Sequence, residues 1–225
     1  ARPIQGQWDK LLDLLERGDF DIALNGIEVA EEKKRVALLS RPYFAAPERL
    51  TIRRGDTKAP RTMAELKGRK IGTLPGSMAE RILTAAGADV KTYEGGQDEI
   101  YSDLRLERTD GVLLDAPIAL FYGEIDDAFE TVAEPFGVVE YAIAFRRDDG
   151  DRQALFNAAL EQLIADGSLR ALYERWGIWT PEVAKVLGDP DGTARGTPEE
   201  FLRWRAAVGK LPPFWERVKT RYPQV

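Results

Sequence analysis

The 225-residue chain contains no cysteine and no histidine. Thiol chemistry, disulfides, zinc centres built on Cys or His, and catalytic triads that use His are thereby excluded. It also lacks any run of about 18 apolar residues, so no membrane-spanning helix is expected. Residues 1–7 have neither the basic nor the apolar region of an export signal. A basic surplus is missing too: 38 acidic side chains stand against 32 basic ones, a net charge of −6, spread along the chain. A nucleic-acid-binding surface is therefore not expected, and no motif implies a cofactor.

What is present is the composition of a folded protein, 44% hydrophobic and 31% charged, long enough for two modest cores. Trp8, Leu11, Leu12 and Leu15 recur at helical spacing, with Gly18 as a stop. Residues 21–24 read as a short buried strand ending at Asn25 and Gly26, where backbone can approach a ligand closely. Strands are expected at 50–53, 70–73, 111–114 and 141–145, and helices at 62–66, 76–86, 98–108, 152–166 and 169–176. This alternation implies parallel sheets with right-handed crossovers, whose ligands sit beyond the carboxyl ends of the strands. Gly26, Gly76 and Asp115 all fall at such ends. From Pro181 onward the character changes: 188–198 reads as a linker and 199–222 as helical, with Phe201, Trp204, Phe214 and Trp215 interrupted by Pro212 and Pro213. The segment Asp189-Pro190-Asp191-Gly192 is similar to the start of a calcium loop but lacks the later ligands, and reads as a turn.

Trp8, Leu11, Leu15, Gly18, Asp21, Gly26 and Ile27, followed by Ser40, Pro42 and Tyr43, reproduce a pattern of solute-binding protein family 3, the periplasmic polar amino-acid-binding proteins of ABC importers. Gly76-Ser77 with Glu80, Asp115-Ala116-Pro117 and Trp176-Gly177 follow in that family's order, so the chain resembles it from about residue 3 to residue 180. The resemblance implies an α/β, two-lobed periplasmic-binding-protein-like fold (type II): parallel sheets flanked by helices, with two hinge strands at 51–53 and 142–145. Lobe one would combine 1–50 with 144–180, lobe two would be 55–140, and 181–225 would form a C-terminal linker and helical tail. Family members begin with a further strand and helix ahead of the point matching Ala1, so lobe one is expected to be incomplete at its start.

An amino-acid zwitterion needs an anion for its ammonium, N–H or cationic partners for its carboxylate, and apolar walls. By resemblance, Asp115 takes the ammonium; its structural alternative is a cap on the helix at Pro117. Gly76 and Ser77 would offer backbone N–H groups at a helix N-terminus, and Trp8 would stack over the solute, unless it is simply a core residue. Asn25 and Gly26 complete the expected wall. Three departures matter. Lys33 stands where the family carries an Arg, replacing a two-pronged guanidinium by a point charge. Glu28 stands where Thr or Ser is usual, and Ala30 replaces another Thr. A carboxylate there repels a solute carboxylate. Either Glu28 pairs with Lys33, or the ligand presents a second cation, or the site does not bind a conventional amino acid.

The function implied is extracytoplasmic capture of an amino acid or amino-acid-like small molecule by lobe closure, for delivery to an ABC permease or another membrane-protein assembly. The alternatives are a sensor or interaction subunit of a membrane assembly, with the Trp-containing tail as a possible membrane tether, and a cyclohexadienyl-dehydratase-like enzyme using Glu28 as general acid.

Overall fold

The computed structural model describes residues 2–4, 6–94 and 97–208. A short turn, Trp8–Lys10, leads into helix α1, Leu11–Arg17, which buries Leu11 and Leu15. Gly18 ends α1 at φ 83°, a left-handed conformation that glycine adopts without steric cost. Strand β1, Ile22–Glu28, continues past the expected stop at Asn25 and Gly26. It does so through a bulge between Ala23 and Ile27, in which Gly26 has φ 62°. Helix α2, Glu31–Val36, and strand β2, Leu38–Leu39, follow.

Strand β3, Phe44–Arg53, is twice as long as a typical strand, because it belongs to two sheets. Phe44 to Pro47 pair with strand β8, Val138–Phe145, whereas Glu48 to Thr51 pair with strand β6, Gly111–Asp115. Proline has no N–H to donate, so the β8 ladder ends naturally at Pro47. This partner change falls ahead of the strand expected as the first hinge. Residues 51–53 pair with strand β7, Phe129–Thr131, inside the second sheet, and 142–145 pair with β1 and β2 inside the first.

The first sheet runs β1-β8-β3, with β2 also on β8, and all its pairings among the described residues are antiparallel. The outer edge of β1 carries no partner strand among the described residues, and Leu24 there is 55% exposed. The second sheet has a parallel centre of β6, strand β4 (Lys70–Thr73) and strand β5 (Asp89–Thr92), with β3 antiparallel on β6. The expectation of parallel sheets thus holds for β4, β5 and β6 alone. β3, which passes from the first sheet into the second, runs antiparallel to both β8 and β6.

Helix α3, Met78–Ala85, and helix α4, Gln97–Arg105, cover opposite faces of the second sheet. Leu50, Ile71 and Leu113 pack with Ala79 and Leu83 of α3, while Val112 and Leu114 pack with Ile100 and Leu104 of α4. After β6 come a single helical turn, α5, Ala116–Ile118, and a π-helical stretch, Ala119–Glu124. On the first sheet lie helix α6, Gly150–Ala165, and helix α7, Ser168–Trp176.

Residues 181–187, expected as the start of a tail, form helix α8, Pro181–Leu187, with Thr180 accepting a capping hydrogen bond from the Val183 N–H. Val183, Ala184 and Leu187 are buried against Phe44, Val139 and Tyr141. Helix α9, Glu199–Val208, packs back on α7, with Trp204 stacked on Phe121 at 5.6 Å between ring centres. Phe214, Trp215, Pro212 and Pro213 lie outside the described residues. Leu187→Ala should cost about 2–5 kcal/mol in urea unfolding, the range for a core truncation. A loss within about 0.5 kcal/mol, as for a surface site, would place α8 outside the core.

Candidate functional site

Side chains alternate across a strand, so the row that buries Leu113 under α3 also carries Asp115. The same holds for β3, where Leu50 pairs with Leu113 and Glu48 pairs with Asp115. Asp115 and Glu48 therefore stand side by side beyond the first turn of α3, at the carboxyl end of β6. Asp115 does not cap the following turn: its side chain makes no capping hydrogen bond. It accepts instead a hydrogen bond from the hydroxyl of Tyr141, on β8 of the first sheet.

Glu28, the last residue of β1, enters from the first sheet and is 1% exposed. Its carboxylate accepts the backbone N–H of Met78 at 2.9 and 3.0 Å, at the start of α3. It also accepts Lys33 Nζ at 3.2 Å and an Arg81 guanidinium nitrogen at 3.3 Å. Arg81 reaches on to Glu32 at 2.6 Å, a second link between α2 and α3. A helix N-terminus with two cations beside it is a ready anion site, and in this chain the anion is Glu28. Of the three readings that the sequence left for Glu28, the structure shows the pairing with Lys33.

Lys33 also lies over the Trp8 ring, 4.5 Å from its centre. The Trp8 indole N–H donates to the carbonyls of Asn25, at 3.0 Å, and Gly26, at 3.3 Å. Half-buried, Trp8 packs against clusters belonging to both sheets. Gly26 adopts φ 62°, a conformation that favours glycine, and a Cβ there would make only an ordinary contact, 3.4 Å, with the Tyr141 ring. Trp8, Gly26, Glu28, Lys33 and Asp115 thus converge.

The other expected residues act differently. Asn25 is exposed and contributes its carbonyl. The Gly76 N–H donates to Glu80 at 2.6 Å. The Ser77 hydroxyl accepts from the Glu80 N–H at 3.1 Å and donates to the Leu74 carbonyl at 2.8 Å, the work of a cap. The cleft-facing N–H expected of Gly76 and Ser77 is that of Met78. Sequence reasoning also missed Arg81, Tyr141 and Glu48. For Arg81 a signal existed, since it follows Ser77 at a spacing that places it on the first turns of α3.

Glu48 is the unusual member. It is 0% exposed, and neither of its carboxyl oxygens has a hydrogen-bond partner among the described residues. Burial, and then the neighbouring Asp115 and Glu28, push its carboxyl up to about 9. Burial likewise raises Asp115 and Glu28, opposed by Tyr141 and by Lys33 respectively, and burial lowers Lys33. Beside this cluster, a groove of about 560 Å³ is lined by Val29, Pro42, Met78, Val138, Glu140, Glu182, Lys185 and Val186.

A carboxyl that holds its proton from 4.5 up to about 9 in the folded state stabilises the fold at low pH. That contribution is lost as pH rises through this window, at up to about 1.4 kcal/mol per pH unit. Glu48→Gln should therefore be more stable than the parent at pH 8, and its advantage should shrink towards pH 5, measured by urea unfolding. An identical pH dependence in both proteins would contradict the buried, protonated state of Glu48.

Comparison with known proteins gives this geometry a context. The L-cystine-binding protein TcyJ of Escherichia coli is 30% identical over 173 residues, covering 76% of this chain and 65% of that relative, so the chain spans about two thirds of its length. An ancestral arginine-binding protein bound to glutamine superposes with a TM-score of 0.69 at 30% identity, over 76% of each chain. AncCDT-1, an ancestral amino acid-binding protein described as a precursor of cyclohexadienyl dehydratase, does so with a TM-score of 0.69 at 25% identity, over 77% of this chain and 76% of its own. The model of the bacterial extracellular solute-binding proteins, family 3, matches residues 1–178, and the chain belongs to that family.

Proposed function

We propose that this chain captures an amino-acid-like small molecule between its two sheets, outside the cytoplasm, and presents the closed form to an ABC permease. The observation that carries the reading is the meeting of groups from both layers in one cleft: Glu28 on Met78 and Arg81, and Tyr141 on Asp115. Closure around a solute is a ligand-driven population shift, and it needs groups on each side that gain from meeting. In this reading 1–50 with 144–180 form one lobe and 55–140 the other, joined through β3 and β8, and α8 moves with the first. Asp115 takes the solute's ammonium, and Trp8, Gly26 and Tyr141 form the walls.

Binding without turnover is favoured over catalysis. Glu28, the group expected to act as general acid, already accepts hydrogen bonds from Met78, Lys33 and Arg81. Within the described part of the tail, Trp204 packs on Phe121, and no helix among the described residues is long and apolar enough to cross a membrane.

A thermal-shift and calorimetric screen of small amines and amino acids tests the proposal. A ligand at 100 times its dissociation constant should add about 2.7 kcal/mol of stability. Asp115→Asn keeps an acceptor for Tyr141 but removes the charge, and should weaken that ligand about 10- to 100-fold, the worth of a charged hydrogen bond. Unliganded stability should be held or raised. Unchanged affinity in the variant would remove Asp115 from the site.

A further inference from the structure

A zwitterion offers two charged ends, and the cleft treats them unequally. The donors suited to a carboxylate are the Met78 N–H, Lys33 and Arg81, and all three are engaged by Glu28. Glu28 is tethered five residues from Lys33 and 1% exposed, so it competes with any incoming carboxylate as an intramolecular partner. A solute carboxylate that took its place would leave a buried carboxylate unpaired, which is strongly unfavourable.

The other end of the cleft is arranged for a cation. Asp115 has Tyr141 as its hydrogen-bond partner, and Glu48 beside it is fully buried with none among the described residues. Glu48 and Asp115 are cross-strand partners on one face, where two carboxyls without a counter-ion are unfavourable. Around the cleft, Glu28, Glu48 and Asp115 face Lys33 and Arg81, and one of those bases, Arg81, is shared with Glu32. Glu48 keeps its proton while no solute is bound; a cation between Asp115 and Glu48 would displace that proton, set three ionised acids against three cations and give Glu48 its partner.

We propose that the preferred ligand is a small organic amine with no carboxylate on the carbon bearing the ammonium, its cation held between Asp115 and Glu48, because Glu28 supplies the carboxylate from the protein itself. This rests on the proposed reading of the cleft as a solute site and names the class of solute. Sequence position alone makes Lys33 the carboxylate clamp; the structure turns that clamp onto Glu28.

Calorimetric titration of the purified full chain against matched pairs tests it: agmatine with arginine, cadaverine with lysine, histamine with histidine. In at least one pair the amine should bind tenfold or more tightly than its amino acid. Glu28→Ala releases the three donors and should lower that ratio at least tenfold, mainly by gaining affinity for the amino acid. Glu28→Gln keeps the side-chain shape and should move the ratio the same way, which guards against a folding defect in the alanine variant. Glu48→Gln should weaken the amine more than the amino acid. Amino acids binding the parent protein as tightly as their amines would overturn this inference and leave the solute-binding reading standing. Binding of neither class, to the parent or to the Glu28 variants, would overturn both.

Discussion

The arrangement depends on where one carboxylate sits. Glu28 ends β1 on the first sheet, yet its hydrogen bonds are made to α3, which covers the second. A buried carboxylate that lost these partners would be destabilising by about 3–5 kcal/mol, so the two layers are held in register by the need to keep it satisfied. The Glu32–Arg81 pair reinforces the contact only weakly, since both partners are substantially exposed. The junction between the layers is therefore organised by an internal anion bound at a helix N-terminus with two cations beside it.

This placement explains the electrostatics on the far side. With Lys33 drawn to Glu28 and Arg81 shared between Glu28 and Glu32, neither base hydrogen-bonds Asp115 or Glu48. Asp115 relies on the Tyr141 hydroxyl, a neutral donor, and Glu48 is pushed up until it keeps its proton through neutral pH. The acid pair is the consequence of extending a core row of β3 and β6 by one pleat into the cleft. The alternation that makes Leu50 and Leu113 a good core makes Glu48 and Asp115 neighbours.

Much of this order is legible in the sequence. The buried pattern of β6, the Ser77 cap and the glycine stops at Gly18 and Gly177 are local signals, and local physics decides them. The family motifs bring together Trp8, Gly26, Lys33 and Asp115, and Glu28 stands out because a carboxylate occupies a position where a hydroxyl is usual. What could not be read is set by pairing across the chain. Glu48 follows a proline in an ordinary strand pattern, and nothing nearby says that its partner is Asp115. The two-sheet membership of β3 is hidden for the same reason, since the partner change at Pro47 depends on β8 and β6, far along the chain. The Met78 N–H has no side-chain signature at all, and the choice of Met78 over Gly76 follows from Glu80 turning back to claim the Gly76 N–H.

Helix α9 adds a constraint of a different size. Its Trp204 stacks on Phe121, which follows β6 of the second sheet, while Pro198 and Phe201 lie over Gly177 at the end of α7 on the first. The helix thus touches both layers, and any rotation of one against the other must either carry α9 along with one layer or separate one of these contacts. A stacked aromatic pair is worth about 0.5–1.5 kcal/mol beyond its buried area, less than the satisfied Glu28 carboxylate. Under a load that opens the cleft, Trp204 would part from Phe121 at smaller cost than Glu28 would leave Met78. Glu28, more than the helix that straps the two layers, therefore sets how firmly the two layers are held together.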